Sequence, residues 1–500
     1  MENRKEFLER RDELPKDRRL RENLADLFLS GEISGKRARS LYEDAGDANA
    51  VHVSDVASGS TDHNAHRDVL RRLLANTKWP ELFECDVPIY DPKTNKESSA
   101  QLSMLLPHEV VHTMCRWNLE SIDTFTSMEH LRPELAKKME EIRSFLQSSA
   151  PSRPLVALGL WADGVPIKGD RSESLEMITL SFPGLGHRQT IRIPITAMNK
   201  KFFLKGGKTW DALFKVISWS CHSLLSGFFP SHRWDGLLLQ GKRANLAGRP
   251  LHAGGALLEI RGDWAMLKAS FRMPSWNAKR NCCFVCKATP ETMRDLGPNA
   301  PWRTKLWNHA ELLTEMLEVH NSYSPIFEAP FVDIHSFCID WLHCCDLGVC
   351  QDYLGNAMWL ISTKLPGANI EERTRGLFDD IRQHYATSGC ENQLGALTPL
   401  MIRKAASKSP KLRSKAGEAR SLVDWVACYQ NLPGESFDAD DLAFHCKQFL
   451  QLYMALENAV QPDARWRYKP KFHLWLHVCE MAKASPTYWW TYRDESFGGT

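Results

Sequence analysis

The stretch Leu155–Met198, LVALGLWADGVPIKGDRSESLEMITLSFPGLGHRQTIRIPITAM, constrains the fold more than any other part of this chain. Leu155–Ala162 is an almost unbroken apolar run of strand length, which suits a strand covered on both faces. It ends at Asp163-Gly164, so the pattern predicts Asp163 where a buried strand opens into a turn. Glu176–Phe182 and Thr190–Ile195 then read as two further strands joined through Pro183-Gly184-Leu185-Gly186-His187. The second alternates β-branched with polar residues, as a half-buried strand does. The expectation is a hairpin beside the first strand, with Asp163 either an ordinary turn residue or an acid delivered by the sheet.

A second stretch, GGALLEIRGDWAMLKASFRM, repeats the design. Ala256–Ile260 reads as a buried strand, Gly262-Asp263 as its exit and Trp264–Phe271 as the segment leaving the sheet. Thr209–Phe229, apolar at helical spacing, precedes it. Carboxylates on adjacent strands repel one another unless a cation lies between them. A divalent-metal site is therefore expected if Asp163 and Asp263 meet.

Composition sets outer limits. With 63 Lys+Arg against 61 Asp+Glu the net charge is +2, so nucleic-acid binding would rest on local patches and not on a global field. The N-terminus has no apolar leader and no run is long and uncharged enough to span a bilayer, which predicts a soluble, unsecreted protein without a membrane partner. In that setting the 14 cysteines read as reduced thiols or metal ligands. Cys283-Phe-Val-Cys286 has the spacing of half a zinc site. Its remaining ligands are sought among His335, Cys338, Cys344, Cys345 and Cys350, with buried thiols as the alternative.

Five regions are expected. Residues 1–48 are helical: Leu24, Leu27, Phe28 and Ala38, Leu41, Tyr42 recur at helical spacing around Ser30-Gly31-Glu32, with Ser34 as a cap. This is a helix-turn-helix offering Lys36, Arg37 and Arg39 to phosphates, or a plain helical hairpin with a wet basic face. Gly46–Asn64 reads as a linker. Residues 65–150 read as a helical pre-core region, in which His108 and His112 are taken as structural histidines. Residues 151–275 form the first part of the core, and 276–460 a Cys/His-containing helical insertion. Within the insertion Met401–Arg420 carries Arg403, Lys404, Lys408, Lys411, Arg413, Lys415 and Arg420 against Glu418 alone, a phosphate-binding patch or a solvated helix. Residues 461–500 close the chain, with Lys469, Lys471, His473 and His477 leading a helix and Asp494-Glu495 near the end.

The order of these motifs resembles a known group. Asp163 in WADGVPI, Asp263 in IRGDWAMLK, the Cys283/Cys286 pair, Asp340-Trp-Leu-His343 followed by LGV, then KFHLWLH and RDESFGG look like the DDE-type cut-and-paste transposases related to the CACTA and hAT superfamilies. The resemblance runs from about Leu102 to the C-terminus. It implies an α/β fold: an RNase H-like catalytic core with a mixed sheet, interrupted by a long helical insertion, plus an N-terminal helical region. Asp163, Asp263 and Glu495 would be the catalytic triad binding Mg²⁺ or Mn²⁺, and Asp340 and His343 an accessory pair. Asp340 competes with Asp263 for second acid, and Asp494 adjoins Glu495. The implied activity is metal-dependent DNA cleavage and strand transfer by a nuclear, DNA-binding homo-oligomer with a structural zinc.

The resemblance also implies a helix running well past Glu495, whereas five residues follow it here. The alternative expectation is therefore a truncated or domesticated, catalytically inactive derivative that binds DNA or protein.

Overall fold

The computed structural model describes residues 16–29, 33–57, 65, 69, 72–73, 79–117, 125–147, 153–168, 172–185, 192–390, 392–428 and 439–481. The chain divides into two compact units, Met1–Glu81 and Leu82–Thr500.

In the first unit α1 (Lys16–Leu29) and α2 (Gly35–Asp47) pack together, followed by the short α3 (Ser54–Ala57). Ser34 caps α2, its side chain accepting from the Arg37 N–H at 3.2 Å. Val53 and Val56 are buried with Leu24, Phe28, Ala38 and Tyr42. Residues expected to form a linker thus contribute to this core, because two valines at helical spacing outweigh the surrounding Asp, Ser and Gly. The boundary falls near Glu81 instead.

The second unit opens with an antiparallel hairpin, β1 (Phe83–Asp91) and β2 (Lys96–Met104), within the region read as helical. Phe83, Cys85 and Val87 face inward at strand spacing, while most of β2 is exposed and gives no periodic signal. Then come α4 (Pro107–Trp117), α5 (Pro133–Gln147), β3 (Leu155–Pro166), β4 (Ser174–Ser181), β5 (Arg192–Asn199), α6 (Lys208–Ser226), the short α7 (Gly241–Leu246), β6 (Gly254–Arg261) and α8 (Trp264–Phe271). Gly227, at φ +75°, ends α6 in the left-handed conformation and returns its N–H to Ser223 O. The fold is mixed α/β, with 16 α-helices among the described residues and one mixed four-stranded sheet in the order β5-β4-β3-β6. β3, β4 and β5 run antiparallel in succession and β6 lies parallel to β3. The crossover through α6 is what a parallel neighbour requires.

Both faces of β3 are covered, as its apolar run predicts. Val156, Leu158, Leu160 and Ala162 join a core with Phe214, Ile217 and Leu224 of α6, while Leu155 and Ala157 meet Leu135, Met139 and Ile142 of α5. Each of these side chains larger than alanine contributes about 1.5–3 kcal/mol by leaving water. The β3–β6 register shifts between Leu158 and Gly159, where Leu158 pairs with Leu257 but Gly159 with Glu259. At this bulge Leu258 packs with the α5 core and Glu259 meets Arg132, just before α5, at 3.2 Å.

Beyond α8 the chain is helical: α9 (Pro301–Thr304), α10 (His309–His320), a π-helix (Leu342–Cys350), α11 (Gln351–Ser362), α12 (Ile370–Ser388), α13 (Pro399–Ile402), α14 (Ala416–Cys428), α15 (Ala439–Ala459) and α16 (Pro470–Met481). Leu354, Met358, Leu377, Ile381, Leu422 and Trp425 form a separate core within this helical part. Among the described residues no helix is long and apolar enough to cross a membrane.

Candidate metal centre

Asp163 does not sit in a turn. The strand carries on to Pro166, Asp163 pairs with Met177 and its Oδ1 accepts the Gly164 N–H at 2.7 Å. The polar residues after Ala162 hid this extension, since they are only half-buried. On β6, Arg261 is the register partner of Trp161, two residues before each aspartate. The strands stay together beyond that pair: a Cβ on Gly262 would lie 2.7 Å from the Ala162 carbonyl oxygen. Asp263 follows in extended conformation and caps α8, accepting the Met266 N–H at 2.5 Å. A cap is a structural task, and it holds the Asp263 carboxylate at the start of α8.

The bulge sets the phase. Leu155 and Ala157 of β3 and Leu258 of β6 face α5. Asp163 lies an even number of residues beyond the first two, but Asp263 an odd number beyond Leu258. The extra, unpaired residue Leu258 restores the match, so both aspartates fall in phase in the register. Lys200 registers the two charges together. Burial works against its ammonium, but the 2.8 Å bond to Glu176 and the charges of Glu176, Asp263 and Asp163 hold its pKa above the ordinary value.

Phe337 forms a parallel bridge to Ile260 of β6, and the Cys338 N–H bonds Ile260 O at 2.9 Å. A short extended segment thus lies beyond β6 and delivers Asp340. This buried carboxylate accepts the Leu342 N–H at 3.0 Å and contacts His343 Nδ1. The Cys344 thiol, raised chiefly by burial, feels the charges of both Asp340 and Asp263. Asp163, Asp263 and Asp340 therefore come from three successive parallel segments. Glu495 and Asp494 lie outside the described residues.

The cysteine pair has different partners from those expected. Cys283, Cys286, His473 and His477 are all buried, with one ligand atom of each within 4.8 Å of the others. Cys286 Sγ lies 3.3 Å from Nε2 of both histidines, and the two Nε2 atoms are 3.2 Å apart. A tetrahedron with Zn–N of ~2.0 Å and Zn–S of ~2.3 Å has N···N edges of ~3.3 Å and S···N edges of ~3.5 Å, so the spacing suits zinc. The four side chains could hold such a metal. His473 and His477 lie on one face of α16, and Trp302 packs edge-on against both rings at 4.7 and 5.0 Å. The Val285 N–H bonds Cys283 Sγ at 3.3 Å and Trp307 Nε1 bonds Cys283 O at 3.0 Å, which orients the cysteine loop.

The residues expected to complete this centre lie elsewhere. His335 is exposed in a 3₁₀ turn, and Cys338 Sγ accepts from Arg132 Nη2 at 3.4 Å. Cys344 is buried near Cys283 but outside the tetrad. Cys345 and Cys350, with sulfurs 3.6 Å apart, form a second group with Asp346 that could hold a metal. The usable signal was the HxxxH in KFHLWLH, an imidazole pair within an apolar helix.

His108 and His112 are structural. Burial pushes His108 down to about 3 and His112 to about 4, and His108 Nδ1 lies 2.8 Å from Ser220 Oγ. The basic run is not a helix: residues 403–415 are largely irregular. Arg403 bonds Asp463 at 3.2 Å and Arg420 bonds Asp346 at 2.8 Å, while Lys404, Lys408, Arg413 and Lys415 are exposed. Lys36 and Arg37 are exposed on α2, whereas Arg39 lies 3.4 Å from Glu43.

Compared with known proteins, the chain matches no family model and no curated protein.

Proposed function

We propose that the protein is a transposase-type, metal-dependent DNA nuclease and strand transferase built on an RNase H-like core. The observation that carries this reading is the parallel register of β3 and β6, from which Asp163 and Asp263 each follow one residue beyond the close approach of Gly262 to Ala162. The strand order supports it: three antiparallel strands, β6 parallel to the first, and the Phe337 segment parallel to β6. An RNase H-like sheet is built in that order.

In this reading Asp163, Asp263 and Glu495 hold Mg²⁺, a hard cation suited to carboxylate oxygens. When bound there, divalent cations would supply charge stabilisation for displacement at a phosphodiester. The protein's part is placement. The parallel register aligns the two strand acids, the α8 cap immobilises Asp263, and Asp340 orients the His343 ring through Nδ1. Zinc at the Cys283–Cys286–His473–His477 tetrad would be structural, since four protein ligands leave no open position. It would also tie α16, the last described helix before Glu495, to the loop that follows α8.

The test is a Mg²⁺-dependent cleavage and strand-transfer assay on duplex DNA, comparing the protein with Asp163→Asn. Cleavage lost in the variant supports the reading. DNA binding without cleavage in the unaltered protein supports the inactive derivative instead.

A further inference from the structure

Asp352, in the first turn of α11, is buried, with 3% of its side chain exposed; two lysines reach it and a third lies alongside. Lys469 contacts Asp352 Oδ1 directly. Lys411 Nζ lies 3.8 Å from Oδ2 and donates to Leu347 O at 2.8 Å. Lys471 lies against the π-helix, where a Cβ on Gly348 would come within 3.2 Å of its Cδ. Among the described residues no carboxylate lies within ion-pair distance of Lys471.

Asp352 is the one carboxylate among the described residues within ion-pair distance of these ammonium groups. The strain appears at Lys411. Burial lowers its pKa, Asp352 opposes the fall, and the like charges of Lys471 and Lys469 add to it, leaving the group at about 8. An anion with several acceptor oxygens would relieve this repulsion. The cluster also reaches the π-helix that Asp340 starts: a Cβ on Gly348 would lie 3.2 Å from Lys471 Cδ and 3.0 Å from the His343 carbonyl oxygen, and Asp340 accepts the Leu342 N–H at 3.0 Å.

We propose that Lys411, Lys469 and Lys471 bind a backbone phosphate of a nucleic-acid strand and hold that strand beside Asp263 and Asp340. The identity of the ligand rests on the nuclease reading; the anion site rests on the three lysines. Ammonium groups suit the task because a rotatable point charge accepts the changing orientation of a phosphodiester.

Two measurements test the site, using the full chain and Lys471→Gln, with the exposed Lys404→Gln as control. In the first, binding of a short fluorescein-labelled DNA duplex is followed by anisotropy across a salt series. Lys471→Gln is expected to weaken binding roughly threefold or more and to reduce the log–log salt slope by about one, more than the control does. In the second, the thermal midpoint is read in inorganic phosphate and in chloride at equal ionic strength. Phosphate should raise it in the unaltered protein and not in Lys471→Gln. If DNA binds but its affinity and slope are unchanged in Lys471→Gln, the strand-holding role is overturned while the nuclease reading stands. If DNA does not bind but the phosphate effect is lost in the variant, the nuclease reading and the nucleic-acid ligand fall, and the lysines take free phosphate. If neither effect appears, the anion site itself is overturned.

Discussion

Trp161 of β3 and Arg261 of β6 are partners in a parallel register, and this pairing places Asp163 and Asp263 at equal distances beyond it. Replacing either aspartate by asparagine keeps shape and hydrogen bonding but removes one unit of negative charge from those presented to a cation. Asp163→Asn and Asp263→Asn should each lower Mg²⁺-dependent cleavage by ~10²-fold or more, with DNA affinity little changed. A single-turnover cleavage assay checks this.

Asp263 has two tasks that substitution can separate. Asparagine still accepts the Met266 N–H, whereas alanine does not. Asp263→Ala should therefore be less stable than Asp263→Asn by ~1 kcal/mol, read from urea unfolding.

Removing one ligand from the Cys/His tetrad leaves three buried side chains arranged for a cation they can no longer hold. Cys286→Ser should lose stoichiometric zinc, measured by plasma mass spectrometry, and should be destabilised by several kcal/mol. Chelation of the unaltered protein should lower its thermal midpoint in the same direction.

Lys411 gives stability a pH signature. Its folded pKa of about 8 lies below the ordinary 10.5, so between these values the unfolded chain binds more protons. The Lys411 contribution to stability is therefore unfavourable below about 8 and relaxes as pH rises toward 10.5. Lys411→Met should flatten the rise in urea midpoint over this window. Asp352, Lys469 and Lys471 face the same group and set its size.

Gly355 on α11 fixes the Lys411 loop at close range. A Cβ there would lie 2.4 Å from Lys411 Cα and 2.5 Å from its amide nitrogen, both backbone atoms that cannot swing aside. Gly355→Ala should cost ~1–3 kcal/mol in urea unfolding and weaken DNA binding by moving Lys411.

The sheet and its acids were legible because buried strands are written locally, as the apolar runs Leu155–Ala162 and Ala256–Ile260. The β1–β2 hairpin was not, since β2 is mostly exposed and Pro88 interrupts the alternation of β1. The bulge at Leu258 was equally hidden, because a one-residue change of phase is a property of pairing and not of either strand alone. For the metal tetrad each half was visible, but the CxxC was matched to nearby cysteines. Which half meets which is decided by packing across 187 positions of sequence, from Cys286 to His473.

That separation makes the Cys283–Cys286–His473–His477 tetrad the clasp of a ring. The excursion from Lys287 to Phe472 starts and ends at this clasp, meets the sheet again where Phe337 bridges Ile260, and carries in part its own core around Leu354, Leu377 and Trp425. The entropy of closing a ring grows only with the logarithm of its circumference, by ~0.6 kcal/mol per doubling. Lengthening or trimming the excursion thus perturbs the clasp little. The hold of the clasp therefore depends on its four ligands far more than on the length of chain between them.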